Sequence, residues 1–377
     1  MKKGLFLIAL AGLALASCVK NEVAENRGQN LRVGFESPVL YSSADTKANV
    51  HGELAPSYTY QGSVGQYTYP REENFKIFAV QHVGNLTSWA DAQECEFNGQ
   101  DISYIQELDA WAPLKNDGGY YYWPDGKLLS FSAMSPADLE LPNVTTTYDA
   151  QGLKIENYVV NDDPAEQLDV LYAERKIDQS ADKMVDGADF YSGIGILFKH
   201  AMSSIHFSIK KDGVSEEVTL NKIILKNAVN KGTFNENITN ETAYASEPAW
   251  TASTNAQDKA EYLSFQGNVS FPLTAQYVSS IASKEDTSHS LLLMPQHLTD
   301  DMTVEITYTV GDETKTKTIK LNEYPKASGV NPITEWEVGK RYTYRLVYSK
   351  SSEIQDIIYF APGVDGWTSL DPIEVIL

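Results

Sequence analysis

Between residues 31 and 360 the chain alternates apolar and polar positions in short runs, and a 3.6-residue apolar period is scarce. The segment 31–41 shows the pattern most fully. Its odd positions are Leu31, Val33, Phe35, Ser37, Val39 and Tyr41; its even positions are Arg32, Gly34, Glu36, Pro38 and Leu40. Successive side chains of a strand point to opposite faces, so this spacing gives a half-buried strand one apolar face. Pro38 has no N–H to give to a ladder and predicts an edge position. Similar runs predict strands over 75–83, 120–123, 128–134, 168–173, 194–198 and 203–210. They continue over 217–226, 267–273, 290–294, 302–310, 316–321, 341–348 and 354–360. Turns are expected at Asp125-Gly126, Asp212-Gly213 and Gly311-Asp312. Segments 142–165 and 235–260 read as loops. Many short strands punctuated in this way predict an all-β fold of antiparallel sandwiches or barrels.

The length of 377 residues suggests two domains. The best boundary is the stretch 178–193, which holds Asp178, Ser180, Asp182, Asp186, Gly187 and Asp189 and few large apolar residues. It divides the body into 31–190 and 191–377, each expected to be an antiparallel β-sandwich. The first residues read differently. Lys2 and Lys3 precede an apolar run from Gly4 to Ala16, which is too short to span a bilayer comfortably. Charged, apolar and small-residue regions in this order describe a signal peptide over residues 1–17. Leu15-Ala16-Ser17-Cys18 resembles a lipobox, which predicts cleavage before Cys18 and acylation of its sulfur. Residues 18–30 then form a polar, flexible tether. Acyl chains contribute about 0.8 kcal/mol per buried CH₂, so several of them would hold the protein on a membrane.

Loss of Lys2 and Lys3 takes the formal charge from −21 to −23. A chain this acidic lacks the basic footprint of a nucleic-acid binder. Only two cysteines are present, and if Cys18 is acylated then Cys95 has no partner within the chain. No disulfide framework is therefore expected, and the cores must hold the fold unaided.

Several phrases carry a family resemblance. Tyr121-Tyr122-Trp123-Pro124 is followed by Leu128, Phe131-Ser132-Ala133 and Pro136. Phe198-Lys199-His200-Ala201-Met202-Ser203-Ser204-Ile205-His206-Phe207 comes next. Leu291-Leu292-Leu293-Met294-Pro295-Gln296 and the run from Trp336 to Tyr344 follow, and the set closes with Ile358-Tyr359-Phe360-Ala361-Pro362 and Trp367. In this order they resemble the fimbrillin (Mfa-like) family of Bacteroidetes pilus lipoproteins. The resemblance implies two transthyretin-like sandwiches in tandem, export as a lipoprotein to the outer surface, and assembly into a fimbrium by β-strand donation between pilin subunits. It also implies that a protease removes the first strand, so that a neighbour's strand takes its place. Leu31, Val33, Phe35, Val39 and Tyr41 would then mark the displaceable strand. Thr46-Lys47-Ala48 occupies the family's processing position, with Lys47 where its best-known proteases prefer Arg. Ile373, Val375 and Leu377 form a short alternating end, which suits an accessory or tip subunit that receives a strand and passes none on.

Searches for chemistry return little. There is no G-x-S-x-G elbow, no H-E-x-x-H and no phosphate-binding glycine loop. His200 and His206 are six apart and could share one side of an extended strand; structural roles are expected for both. Asp162-Asp163 and Asp300-Asp301 are read as loop acids rather than calcium ligands. Tyr122, Trp123 and Phe131 are read as core rather than as a sugar platform. The expectation is a non-enzymatic adhesive pilus subunit without cofactor or metal. Its partners would be other subunits, the membrane through Cys18, and a host or bacterial surface ligand. The alternatives are a monomeric, surface-anchored glycan-binding lipoprotein and a secreted hydrolase whose site forms only in the fold.

Overall fold

The computed structural model describes residues 33, 39–41, 66–69, 71–92, 94–108, 110–115, 118–139, 141–180, 194–278, 290–323, 332–349 and 357–366. The fold is nearly all β; its helices are single 3₁₀ turns such as Trp89–Asp91 and Pro164–Glu166. One sheet has nine strands. Its main path runs Gln66–Thr68, Val39–Tyr41, Leu197–His200, Leu171–Ala173, Leu128–Ser135, Phe75–His82, Glu94–Ile105, Ala110–Pro113, and Lys176–Gln179 also pairs with Leu128–Ser135. A four-stranded sheet runs Ala249–Ala252, Lys231–Asn235, Gly152–Val159, Thr145–Asp149. Two further sheets face each other in the second half. In one, Gln276–Tyr277 and Ser290–Leu293 lie beside Ser203–Asp212, followed by Lys340–Ser349 and Ile357–Gly366. The other runs Lys259–Ser270, Val218–Val229, Thr303–Val310, Glu313–Lys320.

The nine-stranded sheet is buried on both faces. Phe75, Ile77, Ala79, Leu129, Phe131, Leu171 and Phe198 enter one core. Phe78, Val80, Met134 and Tyr172 point the other way, onto Leu153, Ile155 and Phe234 of the four-stranded sheet. That second core continues without a break into the paired sheets of the second half, through Ile205, Phe207, Ile223, Ile306 and Tyr344. Antiparallel strands and alternating burial give the sandwich architecture that the sequence predicts.

Most predicted strands appear close to their expected bounds, among them Phe75–His82, Leu128–Ser135, Ser203–Asp212, Val218–Val229, Thr303–Val310 and Lys340–Ser349. Gly126, Gly213 and Gly311 all have positive φ, as tight turns at those sites require. Three expectations change. Segments 142–165 and 235–260 are not mere loops; they supply Thr145–Asp149, Gly152–Val159 and Ala249–Ala252 to the four-stranded sheet. Residues 120–123 form no continuous strand, only isolated bridges at Tyr120, which pairs with Leu114, and at Tyr122. Sheet membership also does not divide at residue 190. Leu197–His200 joins the nine-stranded sheet, and Gly152–Val159 pairs with Lys231–Asn235.

The Thr145–Val159 hairpin shows how tightly this junction is built. Gly152 has φ +94°, and a Cβ there would collide with the carboxylate of Glu236. Glu236 is fully buried, accepts from Leu153 N at 2.7 Å and Tyr244 Oη at 2.6 Å, and has its pKa raised, chiefly by burial. Gly152→Ala therefore meets both left-handed backbone strain and a rigid carboxylate. A loss of about 1–3 kcal/mol is expected, read from the shift of the urea midpoint.

Candidate strand-exchange site

The site is a slot in the nine-stranded sheet. Val39–Tyr41 pairs in parallel with Leu197–His200, with Val39 opposite Leu197 and Leu40 opposite Phe198. On its other side it pairs antiparallel with Gln66–Thr68, with Leu40 opposite Tyr67. Pro38 predicted an edge, but Gln66–Thr68 lies outside this segment, so the segment is second from the rim. If it left, it would open a gap with backbone groups on both sides.

The floor of the slot is aromatic. Tyr69 is fully buried; its hydroxyl donates to Asn74 O at 3.1 Å and pairs with Ser135 Oγ at 2.8 Å. Its ring lies 5.4 Å from Phe198, 5.4 Å from Trp111 and 5.7 Å from Phe75. Tyr69 follows the first strand of the sheet path and Trp111 lies on the last, so this contact draws the two ends of the sheet together. The sheet is therefore curled, and Val39–Tyr41 lies next to its first strand. The edge-to-face pairs of Tyr69 with Trp111 and Phe75 add about 0.5–1.5 kcal/mol each beyond area burial. Trp123 and Phe131, 6.0 Å apart, belong to the same core, whereas Tyr122 is half-buried.

Of the displaceable-strand residues, Val33 is buried at 2% exposure in this core, and its N–H donates to Tyr121 O at 2.8 Å. Val39 and Tyr41 lie on the paired strand. Leu31, Phe35, Cys18, Lys47, Ile373, Val375, Leu377 and Trp367 lie outside the described residues. Cys95 stands on Glu94–Ile105, opposite Val80.

Leu197–His200, the parallel neighbour of Val39–Tyr41, is pinned at its far end. His200 Nδ1 lies 2.8 Å from Asp169 Oδ2, and both side chains are buried. Burial lowers the His200 pKa and raises that of Asp169; attraction between the two opposes both shifts. Ala201 N donates to Val170 O at 2.8 Å, and the Trp250 indole donates to Ala201 O at 2.7 Å. His206 lies in a different sheet from His200, 2.9 Å from Ser204 Oγ, so the two histidines share no strand face. The sequence marked His200 but gave no sign of its partner, which lies 31 residues away.

The other candidate acids have local tasks. Asp163 accepts from Ala165 N at the start of Pro164–Glu166. Asp301 binds Lys259 and Thr299, and Asp300 accepts from Asn322. Among the described residues no group of three or more His, Cys, Asp or Glu is placed to hold a metal ion, and no helix is long and apolar enough to cross a membrane.

These features define an all-β protein of packed, mostly antiparallel sheets, with Val39–Tyr41 held between two neighbours in the largest of them. The profile of the fimbrillin-like family matches residues 69–367, and the chain belongs to that family. Among solved structures it is similar to a fimbrial protein from Bacteroides vulgatus ATCC 8482. The identity is 16%, the coverage 89% of this chain and 99% of that one, and the TM-score 0.52. It is also similar to a candidate cell adhesion protein from Bacteroides uniformis ATCC 8492, at 15% identity over 78% of this chain and 92% of that one, with a TM-score of 0.46. No curated protein sequence matches. Family membership supports a pilus or adhesion subunit at the cell surface, of a structural rather than enzymatic kind.

Proposed function

We propose that this chain is a fimbrial subunit that joins its neighbour by strand exchange at the Val39–Tyr41 slot. The observation that carries the reading is the bracketing of this three-residue strand by Leu197–His200 and Gln66–Thr68 over an aromatic core. An incoming strand could form a ladder on both sides, and its alternate side chains would set register. About five inward side chains at ~1.5–3 kcal/mol each give roughly 8–15 kcal/mol before the cost of ordering the donor. That suffices for a lasting non-covalent fibre. In this reading Cys18 carries the lipid anchor to the outer membrane, cleavage after Lys47 frees the strand, and the two sandwiches stand in tandem.

The test is processing of the surface-exposed form. N-terminal sequencing is expected to begin at Ala48. Protein cut there by an added lysine-specific protease is expected to form ladders that survive cold SDS. An uncut monomer on the cell surface, or cut protein that stays monomeric, would sink the proposal. Binding of such a monomer to polysaccharide would turn the reading toward a glycan-binding lipoprotein.

A further inference from the structure

A subunit that polymerises by exchange must not also polymerise by simple addition to its sheet edges. Among the described residues most edges are short or interrupted. Gln66–Thr68, Gln276–Tyr277, Ala249–Ala252 and Thr145–Asp149 have five residues or fewer. Ala110–Pro113 ends in proline, and Ile357–Gly366 carries Pro362 opposite Tyr344. Lys259–Ser270 shifts register three times along Val218–Val229. On Ser290–Leu293 the Leu292 N–H is already taken by Gln167 Oε1 at 2.8 Å. Glu313–Lys320 is the exception: eight residues in unbroken register with Thr303–Val310, without proline or bulge, along the outside of a four-stranded sheet.

Its side chains supply what its backbone lacks. Thr314, Thr316 and Thr318 are exposed, whereas Lys315 and Lys317 are half-buried and Ile319 is buried. Lys315 stands opposite Tyr308, Lys317 opposite Ile306 and Ile319 opposite Val304. Opposed residues of an antiparallel pair share a face, and Tyr308, Ile306 and Val304 are core residues. Both lysines therefore start from the inward face of an edge strand. Lys315 keeps 29% side-chain exposure and reaches Glu313 at 3.6 Å. A long lysine on an inward face can carry its ammonium past the rim to water. A strand docked on that rim would close the route and desolvate the charge.

We propose that Lys315 and Lys317 guard Glu313–Lys320 against strand addition by a second copy of this chain, and so confine subunit pairing to the Val39–Tyr41 slot. The proposal rests on the exchange reading above. Its test uses the full chain carrying Cys18→Ala, uncut at the N-terminus, in sedimentation and hydrogen-exchange measurements. Lys315→Val/Lys317→Val is expected to self-associate at least about tenfold more tightly than the parent, a difference of ~1.4 kcal/mol, and to gain protection along residues 313–320. Thr316→Val/Thr318→Val places two valines on the outer face and is expected to match the parent. Lys315→Glu/Lys317→Glu keeps inward charge and is expected to stay monomeric. The proposal fails if the valine pair at 315 and 317 remains as monomeric as the parent. It fails equally if the outward valines or the inward glutamates associate as strongly as that pair. Failure of cut protein to polymerise would count against exchange alone and leave these outcomes unaffected.

Discussion

Arg175→Ala is expected to lower stability by about 3–5 kcal/mol, because it removes one partner of a buried ion pair and leaves the rest of its cluster in place. The Arg175 side chain is completely buried, and Nη1 lies 3.0 Å from Glu241 Oε2. Two more of its donors are used: Nε donates to Tyr148 Oη and Nη2 to Asp149 O, both at 3.0 Å. The guanidinium also stacks 4.5 Å from the Trp89 ring and 5.2 Å from Tyr148. Glu241 in turn accepts from Trp89 N at 2.6 Å and Ser88 Oγ at 3.0 Å. One side chain thus fastens the nine-stranded sheet to the Thr145–Asp149 hairpin and to the loop that carries Glu241. Arg175→Lys keeps the charge but loses the planar fork and the stacking, so it should recover only part of the loss. Urea unfolding followed by tryptophan fluorescence reads both variants. An alanine variant within 1 kcal/mol of the parent, a limit set well below the ~3 kcal/mol floor for such a pair, would remove the cluster from the account of stability.

None of that cluster was legible in the sequence, and the reason is range. Alternation at 75–83 or 302–310 reports a local fact, that one side of a strand is buried, and those strands fall where the pattern puts them. Arg175 and Glu241 meet across 66 residues, and nothing in their neighbourhoods marks either one. The strand Glu94–Ile105 escaped for a different reason. Its pairing with Phe75–His82 shifts register between Ile77 and Phe78 and again between Ala79 and Val80, so its own apolar period is broken. Thr145–Asp149 escaped because it is an edge strand of mostly polar residues whose exposure alternates only between full and partial. The slot combines both cases. The apolar face of 31–41 was visible, but its bracketing by residues 66–68 and 197–200 depends on which strands lie side by side, and local periodicity does not encode that. The Phe198-to-Phe207 phrase includes part of Leu197–His200, the neighbour of Val39–Tyr41, but carries no sign of that pairing. Phe198 forms part of the slot floor, and two residues later His200 ends the strand.

His200→Ala is expected to cost about 3–5 kcal/mol at neutral pH, and His200→Asn to flatten the acid side of the stability profile. The alanine variant removes the one described partner of Asp169 Oδ2, while Asp169 Oδ1 already lacks a hydrogen bond among the described residues. A fully buried carboxylate would then lose its hydrogen-bond partner among the described residues. The pH effect follows from the direction of each shift. Burial holds the His200 pKa below its ordinary range; the nearby Arg341 charge acts in the same sense, and Asp169 opposes. In the unfolded chain the imidazole titrates near ~6.5. Below that value, down to the folded-state pKa, the unfolded chain binds the additional proton. The contribution of His200 is therefore fully present above pH ~6.5 and is lost as the pH falls, at a slope of no more than ~1.4 kcal/mol per pH unit. Asp169 works in the opposite direction. Its pKa is raised by burial, so the folded chain takes up that proton first, and this contribution is lost as the pH rises through the folded value. Asparagine keeps a donor near the Nδ1 position but cannot be protonated, so the His200→Asn profile should keep the carboxylate part and lose the imidazole part. Urea unfolding at pH 7 and pH 5.5 checks this, and parallel profiles for parent and variant would defeat it. Under the proposed strand exchange the same pair bears on assembly, because Leu197–His200, which pairs with Val39–Tyr41, would have to keep its place once that strand had left. A receiving strand loosened at His200 should therefore bind a donor strand more slowly than the parent does, even where both remain folded.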